Sequence, residues 1–382
     1  MKKLFINVSI VAIMLNSSII AEETTANQKI KTNEVIKTTT ESALTVSAIT
    51  TEGAVVEKKE PQELKFAVKG NEYFDLKQYE KAVKEFTSAI EINPKNELFF
   101  NNRGLAYYFL KEFNKSIEDF TGAILLKKDY ENAYYNRANS YYELKEYKKA
   151  IEDISESIKI NPKNATLYYN RGNIYYEIKD YEKAIENYNS AILLNDKYAD
   201  AYYNRGNVYN DKEKYAEAID DYSSAIKSNS KYYEAYFARG VLYSEKENYE
   251  KAILDFSNVI KYKSNYGLAY ESRGDIYYIL EKYEKAISDY TKAIKINSNN
   301  EITYINRGNA FYSLEKYEKA ISDYTKAIKI NPKNIEPYIN RATLYLGMGQ
   351  IKKADQDVKK AIELEPKNED ALNLRNRIKE KQ

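Results

Sequence analysis

Residues 165–198 read ATLYYNRGNIYYEIKDYEKAIENYNSAILLNDKY, and variants of this 34-residue pattern fill most of the chain. Arginine sets the register. It recurs at 103, 137, 171, 205, 239, 273, 307 and 341, every step is 34 residues, and each Arg is followed by Gly or Ala. Extended backwards, the frame puts Lys69 and Gly70 in line. Nine units result: 63–96, 97–130, 131–164, 165–198, 199–232, 233–266, 267–300, 301–334 and 335–368, followed by a segment at 369–382. A fixed period of this size marks a repeat architecture, in which each unit buries its apolar face against its neighbours.

Each unit reads as two helices. In the third, Tyr134, Ala138 and Tyr141 form one stripe, and Tyr147, Ala150, Ile151, Ile154 and Ile158 form a second. Both stripes have the helical period, not the alternation of strands. The Asn-Pro-Lys-Asn turns at 93–96, 161–164 and 331–334 stop the second helix, because Pro cannot continue one. Glycine inside a helix costs about 1 kcal/mol relative to Ala. Seven units nevertheless keep it at one place: Gly70, Gly104, Gly172, Gly206, Gly240, Gly274 and Gly308. The expected reason is a facing helix too close for a larger side chain, with Ala138 and Ala342 as the tolerated maximum.

The unit resembles the tetratricopeptide repeat. The family signature has a large aromatic at position 4, Gly at 8, Tyr at 11, Ala at 20, an aromatic at 24, Ala at 27 and Pro at 32. Here these are Tyr168, Gly172, Tyr175, Ala184, Tyr188 and Ala191, with Asp196 in place of Pro. Tyr or Phe replaces the signature Trp throughout, and the signature Pro survives only as Pro94, Pro162, Pro332 and Pro366. The resemblance implies an all-α fold, a right-handed α-solenoid of helix-turn-helix units. The segment 369–382, with Ala371, Leu372, Leu374 and Ile378 among charges, is expected to cap its last face.

Composition narrows function further. The 382 residues include no Cys, His or Trp, which removes thiol nucleophiles, imidazole bases and His/Cys metal sites. The net charge of +2 argues against a general polyanion binder. Lys2 and Lys3 precede a largely apolar run from Leu4 to Leu15, then Ser17, Ser18 and Ala21, the order of a secretory signal peptide. Residues 1–21 are therefore expected to direct export, to the periplasm or beyond, with an uncleaved membrane anchor as the alternative. Residues 22–62, rich in Thr, Glu, Lys and Ala, read as a disordered tether.

The aligned arginines invite a reading as phosphate or carboxylate ligands. A second periodicity opposes it: position 23 of the unit is Asp119, Asp153, Asp221, Asp255, Asp289, Asp323 and Asp357, the first unit pairs Lys69 with Glu85, and the fourth pairs Arg171 with Asn187. These are expected to be structural pairs laced along the array, on the side of the helix away from any groove.

The resemblance places positions 2, 5, 6, 9, 12 and 13 of each first helix on a concave surface, and a wheel at 100° per residue puts all six on one side. Over nine units none of these positions is Lys or Arg, while ten are acidic: Asp75, Glu143, Glu177, Asp200, Asp211, Glu234, Glu245, Glu271, Asp275 and Glu336. Position 6 carries Asn102, Asn136, Asn170, Asn204, Asn306 and Asn340, and position 9 carries Asn71, Asn139, Asn173, Asn207 and Asn309. An amide offers donor and acceptor together, so this resembles the asparagine ladder with which some relatives grip an extended backbone. Tyr135, Tyr169 and Tyr203 at position 5, with Tyr108, Tyr142, Tyr176, Tyr278 and Tyr312 at position 12, add aromatic contact area. The ladder breaks in the units from 233 and 267.

The expectation is a non-catalytic scaffold of the cell envelope that holds an extended neutral or basic polypeptide in this groove, without cofactor or metal. The missing basic residues disfavour both nucleic acid and the acidic chaperone tails that some relatives clamp. Two alternatives remain open: a cell-wall glycan bound by the same Tyr, Asn and acidic residues, or an assembly role for the convex face. Scattered carboxylates along a face make an enzyme the weakest reading.

Overall fold

A computed structural model describes residues 61–381, so the expected signal segment and nearly all of the expected tether lie outside the described residues. Every described element is an α-helix. Contacts divide the described chain into two compact blocks, 61–228 and 229–381.

The first block contains α1 (Gln62–Asp75), α2 (Tyr79–Ile92), α3 (Glu97–Phe109), α4 (Phe113–Leu126), α5 (Glu131–Glu143), α6 (Tyr147–Ile160), α7 (Ala165–Glu177), α8 (Tyr181–Leu194), α9 (Ala199–Asp211) and α10 (Tyr215–Ser228). The second contains α11 (Tyr233–Glu245), α12 (Tyr249–Tyr262), α13 (Gly267–Ile279), α14 (Tyr283–Ile296), α15 (Glu301–Ser313), α16 (Tyr317–Ile330), α17 (Glu336–Gly347), α18 (Ile351–Leu364) and α19 (Glu369–Lys379). Within each block every helix packs on the next, so antiparallel pairs stack in tandem as the 34-residue period requires.

The pairs are locked by glycine against an aromatic ring. A Cβ on Gly172 would stand 2.7 Å from Tyr188 Cε1, and one on Gly308 would stand 2.6 Å from Tyr324 Cε1. The two units with Ala at this place have no ring opposite: Ala138 goes with Ile154 and Ala342 with Val358. The close approach expected of glycine is therefore a contact with one side chain, and the two positions change together.

The turn between the helices of a pair is a Schellman motif. After α5, Lys145 N–H donates to Tyr142 O and Glu146 N–H to Tyr141 O. The residue that turns the chain has positive φ, and it is Lys or Glu at eight such turns: Lys77, Lys111, Lys145, Lys179, Glu213, Glu247, Glu281 and Glu315. Only the ninth turn uses glycine, Gly349.

The Asn-Pro-Lys-Asn turn does more than stop a helix. Asn164 caps α7 by accepting from Thr166 N–H, and Asn161 and Asn164 donate their amides to the two oxygens of Glu131. The first unit and the last helix each turn polar groups outward. In the first unit the positions that bury Leu167 and Ile174 in the fourth are Lys65 and Glu72, both exposed. At the other end α19 buries Ala371, Leu374 and Ile378, with Leu374 and Ile378 in one core with Leu346 and Val358, and turns Arg375 and Arg377 outward.

Candidate functional site

The arginines are the structural pairs their spacing predicts. Arg137 meets Asp153 with two parallel bonds of 2.7 Å, Nε to Oδ2 and Nη2 to Oδ1, and its Nη1 donates to Thr121 Oγ1 of the preceding unit at 2.9 Å. The guanidinium lies over the rings of Tyr134 and Tyr141. Arg103, Arg205, Arg273, Arg307 and Arg341 repeat this triple contact, with Thr87, Asn189, Ser257, Thr291 and Thr325 as the third partner. Arg239 forks Asp255 likewise. Arg171 uses Asn187 and Ser155. Lys69 pairs with Glu85 at 3.0 Å. Each triple contact thus ties both helices of one unit to the second helix of the unit before it. Burial pushes the carboxyls of Asp119, Asp153, Asp221, Asp255 and Asp323 up, and the guanidinium opposite pulls each back only part of the way.

The asparagine ladder is corrected. Asn136, Asn139, Asn170, Asn173, Asn204, Asn207, Asn306, Asn309 and Asn340 are buried, as are Tyr135, Tyr169 and Tyr203. Most of them bond across the seam between successive first helices or to a tyrosine of the second helix. Asn204 Nδ2 donates to Tyr169 OH at 3.0 Å and to Asn173 Oδ1 at 2.9 Å, and Tyr188 OH donates to the same Asn173 oxygen at 2.8 Å. Asn170 Nδ2 donates to Tyr135 OH, Asn136 Nδ2 to Asn101 Oδ1, and the half-buried Asn102 donates to Asn71. In the second block Asn340 Nδ2 and Tyr324 OH converge on Asn309 Oδ1. Asn306 Nδ2 and Tyr290 OH converge on Asp275 Oδ1 in the same way. A wheel drawn on one helix treats this side as open; the neighbouring unit, one period on, covers it.

The sequence carried a signal for this arrangement. Asn or Asp at position 9 goes with Tyr at position 24 in Asn173/Tyr188, Asn207/Tyr222, Asp275/Tyr290 and Asn309/Tyr324, whereas Leu105 goes with Phe120 and Val241 with Phe256. In these four units a hydroxyl is present where there is an amide or carboxylate to receive it. The first and third units depart from the rule, with Asn71/Phe86 and Asn139/Ile154: Asn71 accepts from Asn102 instead, and both amide atoms of Asn139 are buried without a partner.

The ten acidic positions also separate. Asp275 is 2 % exposed, and burial, offset in part by the Tyr290 and Asn306 bonds, lifts its carboxyl to about 7. Burial lifts Glu336 to about 7 and raises Glu271, which accepts from Thr303 and Asn300. Asp275 belongs to the interior of the second block, while Glu271 and Glu336 are half-buried.

What remains accessible is an edge of the first block. Tyr108 OH reaches Glu143 Oε1 at 3.4 Å, and Tyr176 OH donates to Asp211 Oδ2 at 2.7 Å. Between them Glu177 lies against Tyr142 and Tyr147; burial first, and the Glu177 charge second, push both hydroxyls up. In every case an aromatic of one unit meets the carboxylate 35 residues on. Each Tyr has a second ring beside it: Tyr108 with Phe113 at 5.6 Å, Tyr142 with Tyr147 at 5.6 Å and Tyr176 with Tyr181 at 5.9 Å between centroids. Glu143 is half-buried; Glu177 and Asp211 are exposed. Among the described residues no group of His, Cys, Asp and Glu is arranged to hold a metal ion.

Four family models match, all described as tetratricopeptide or TPR repeats. One covers 131–164, 199–232 and 302–334; a second covers 70–111, 172–210 and 274–314; a third covers 154–186 and 323–356; a fourth covers 99–130 and 233–266. No curated protein matches the chain. Among solved structures, the C-terminal part of a TPR repeat-containing protein from Cytophaga hutchinsonii is 22 % identical with a TM-score of 0.56, over 63 % of this chain and 98 % of that one. A tetratricopeptide repeat protein from Parabacteroides merdae is 20 % identical with a TM-score of 0.45, over 65 % and 98 %. YrrB, described as a TPR protein with an unusual peptide-binding site, is 24 % identical with a TM-score of 0.40, over 48 % and 95 %. The repeat is generally a protein–protein interaction scaffold rather than a catalyst. With the helix pairs in tandem and the models together matching almost all of residues 70–356, the chain belongs to the tetratricopeptide repeat family.

Proposed function

We propose that this scaffold acts in the cell envelope and holds an extended, neutral or basic polypeptide segment along the open edge of the first block. The observation that carries the reading is the row Tyr108–Glu143, Tyr142–Glu177 and Tyr176–Asp211: three tyrosines in one register, two hydrogen-bonded to the carboxylate 35 residues on and the middle one within electrostatic reach of its own, at positions 12 and 13, which hold no Lys or Arg in any unit. Tyrosine supplies contact area at low entropic cost, and the carboxylates select by charge. The buried asparagines set the spacing of the units and so the spacing of these contacts. Export rests on the sequence of residues 1–21.

The test is crosslinked co-purification from the native envelope, with the full chain beside a Glu143→Gln, Glu177→Gln, Asp211→Asn triple variant. A protein captured by the parent and lost by the folded variant supports the reading and identifies the client. Equal capture by both moves the interaction to another face. Recovery of the chain only from the cytosolic fraction removes the envelope role.

A further inference from the structure

We propose that Tyr176, Tyr181 and Asp211 form a receptor for a single lysine side chain of the bound polypeptide, a reading that rests on the groove assignment above and narrows it. Asp211 ends α9, and both rings reach it from the preceding unit. Tyr176 OH donates to Asp211 Oδ2 at 2.7 Å and Tyr181 OH approaches the same oxygen at 3.5 Å, while the two rings stand 5.9 Å apart at 44°. One carboxylate oxygen is therefore fixed between two phenols, and Oδ1 carries no hydrogen bond among the described residues. Nearby cations leave the carboxylate open. Lys212 is committed to Glu182, and Lys179 acts on Asp211 only through space. Although the residue as a whole is exposed, the protein packed around its carboxyl desolvates it and pushes it up, with the two phenol bonds pulling it back in part.

The choice of lysine over arginine follows from that single open oxygen. An Arg fork needs two carboxylate oxygens, as at each Arg–Asp pair of the outer face, and here one is already taken. An ammonium is a point charge that needs one oxygen, and its apolar stem can lie along an electron-rich ring face.

The test is fluorescence anisotropy of the full chain with a labelled twelve-residue peptide carrying lysine at every third position among Ser and Ala. Counterparts carry norleucine or arginine instead. Binding of the lysine peptide is expected to weaken more than tenfold with norleucine, at least threefold with arginine, and more than tenfold in the Asp211→Asn variant, which keeps an acceptor for the phenols. Asp220→Asn, an exposed acid on the second helix, is expected to change nothing. The proposal is overturned by norleucine binding as well as lysine, by equal losses in Asp211→Asn and Asp220→Asn, or by no binding of the lysine peptide. If a client is captured through the triple variant's face while Asp211→Asn alone binds the peptide normally, the groove reading stands and the lysine receptor falls.

Discussion

Arg205 holds both oxygens of Asp221, at 2.8 Å from Nε and 2.6 Å from Nη2, and reaches back with Nη1 to Asn189 of the preceding unit. Asp221 is buried, so removing the cation strands a charge. Arg205→Met is expected to destabilise the chain by about 3 kcal/mol, as breaking one side of a buried pair does. Changing Asp221→Leu as well is expected to restore more than half of the loss, because an apolar pair needs no counter-ion. Urea unfolding of the two variants decides it: an unchanged midpoint in the single variant means the pair carries no stability.

Asn173 accepts from Asn204 and Tyr188 at one oxygen. Asn173→Leu leaves the buried Tyr188 hydroxyl and one of the two Asn204 amide protons unpaired, the other still held by Tyr169, a loss of about 2–3 kcal/mol. Adding Tyr188→Phe copies the Leu105/Phe120 combination of the second unit and is expected to recover about 1 kcal/mol. A double-mutant cycle reads the coupling directly; strictly additive losses would show that the two side chains act independently.

Asp275 occupies an amide's place in the second block, and its carboxyl titrates at about 7 in the folded chain. Unfolded, it titrates at about 3.9. The folded state thus binds the proton more tightly, and the site costs nothing below about pH 4. As pH rises to about 7 the unfolded chain alone releases its proton, so stability falls, by as much as about 4 kcal/mol, and is then constant. Asp275→Asn keeps the acceptor and removes the titration. Thermal melts between these limits are expected to show a shallower decline for the variant, the rest coming from Glu336 and the other carboxyls that burial raises; parallel curves would mean that Asp275 stays ionised throughout.

Lys145 turns the chain with φ of 59°, a conformation that suits glycine better than lysine. Lys145→Gly is expected to raise stability by up to about 1 kcal/mol, the strain removed, less the added freedom of the unfolded chain. Differential scanning calorimetry checks the sign. A lower melting temperature would mean that the lysine side chain contributes more than its backbone strain costs.

The array was legible because its period is written in residue identities: Arg at every thirty-fourth place, Gly facing an aromatic, Asp sixteen residues after Arg. The arginine pairs were legible for the same reason, since two periodic series at fixed offset must meet. The groove was misread because a helical wheel contains one helix. Asn170 and Tyr169 sit on the side it leaves empty, and only the neighbouring unit reveals that this side is a seam. The pairing of position 9 with position 24 was present in the sequence, but its meaning depends on a hydroxyl reaching across 15 residues, which composition at one position does not show. The acids divided likewise: Asp211 ends a helix and stays open, while Asp275, one turn from an end, is closed over.

The bonds that join unit to unit span between 16 and 35 residues, and none of those described above reaches further. A chain of this kind has low contact order, so closing each contact costs little loop entropy and folding is fast for its length. It also has direction. As a nascent or translocating polypeptide emerges from its N-terminus, each new stretch of 35 residues completes the forks and amide bonds of the unit before it. The array can therefore assemble in order of emergence, unit upon unit, with no need to wait for the distant end of the chain.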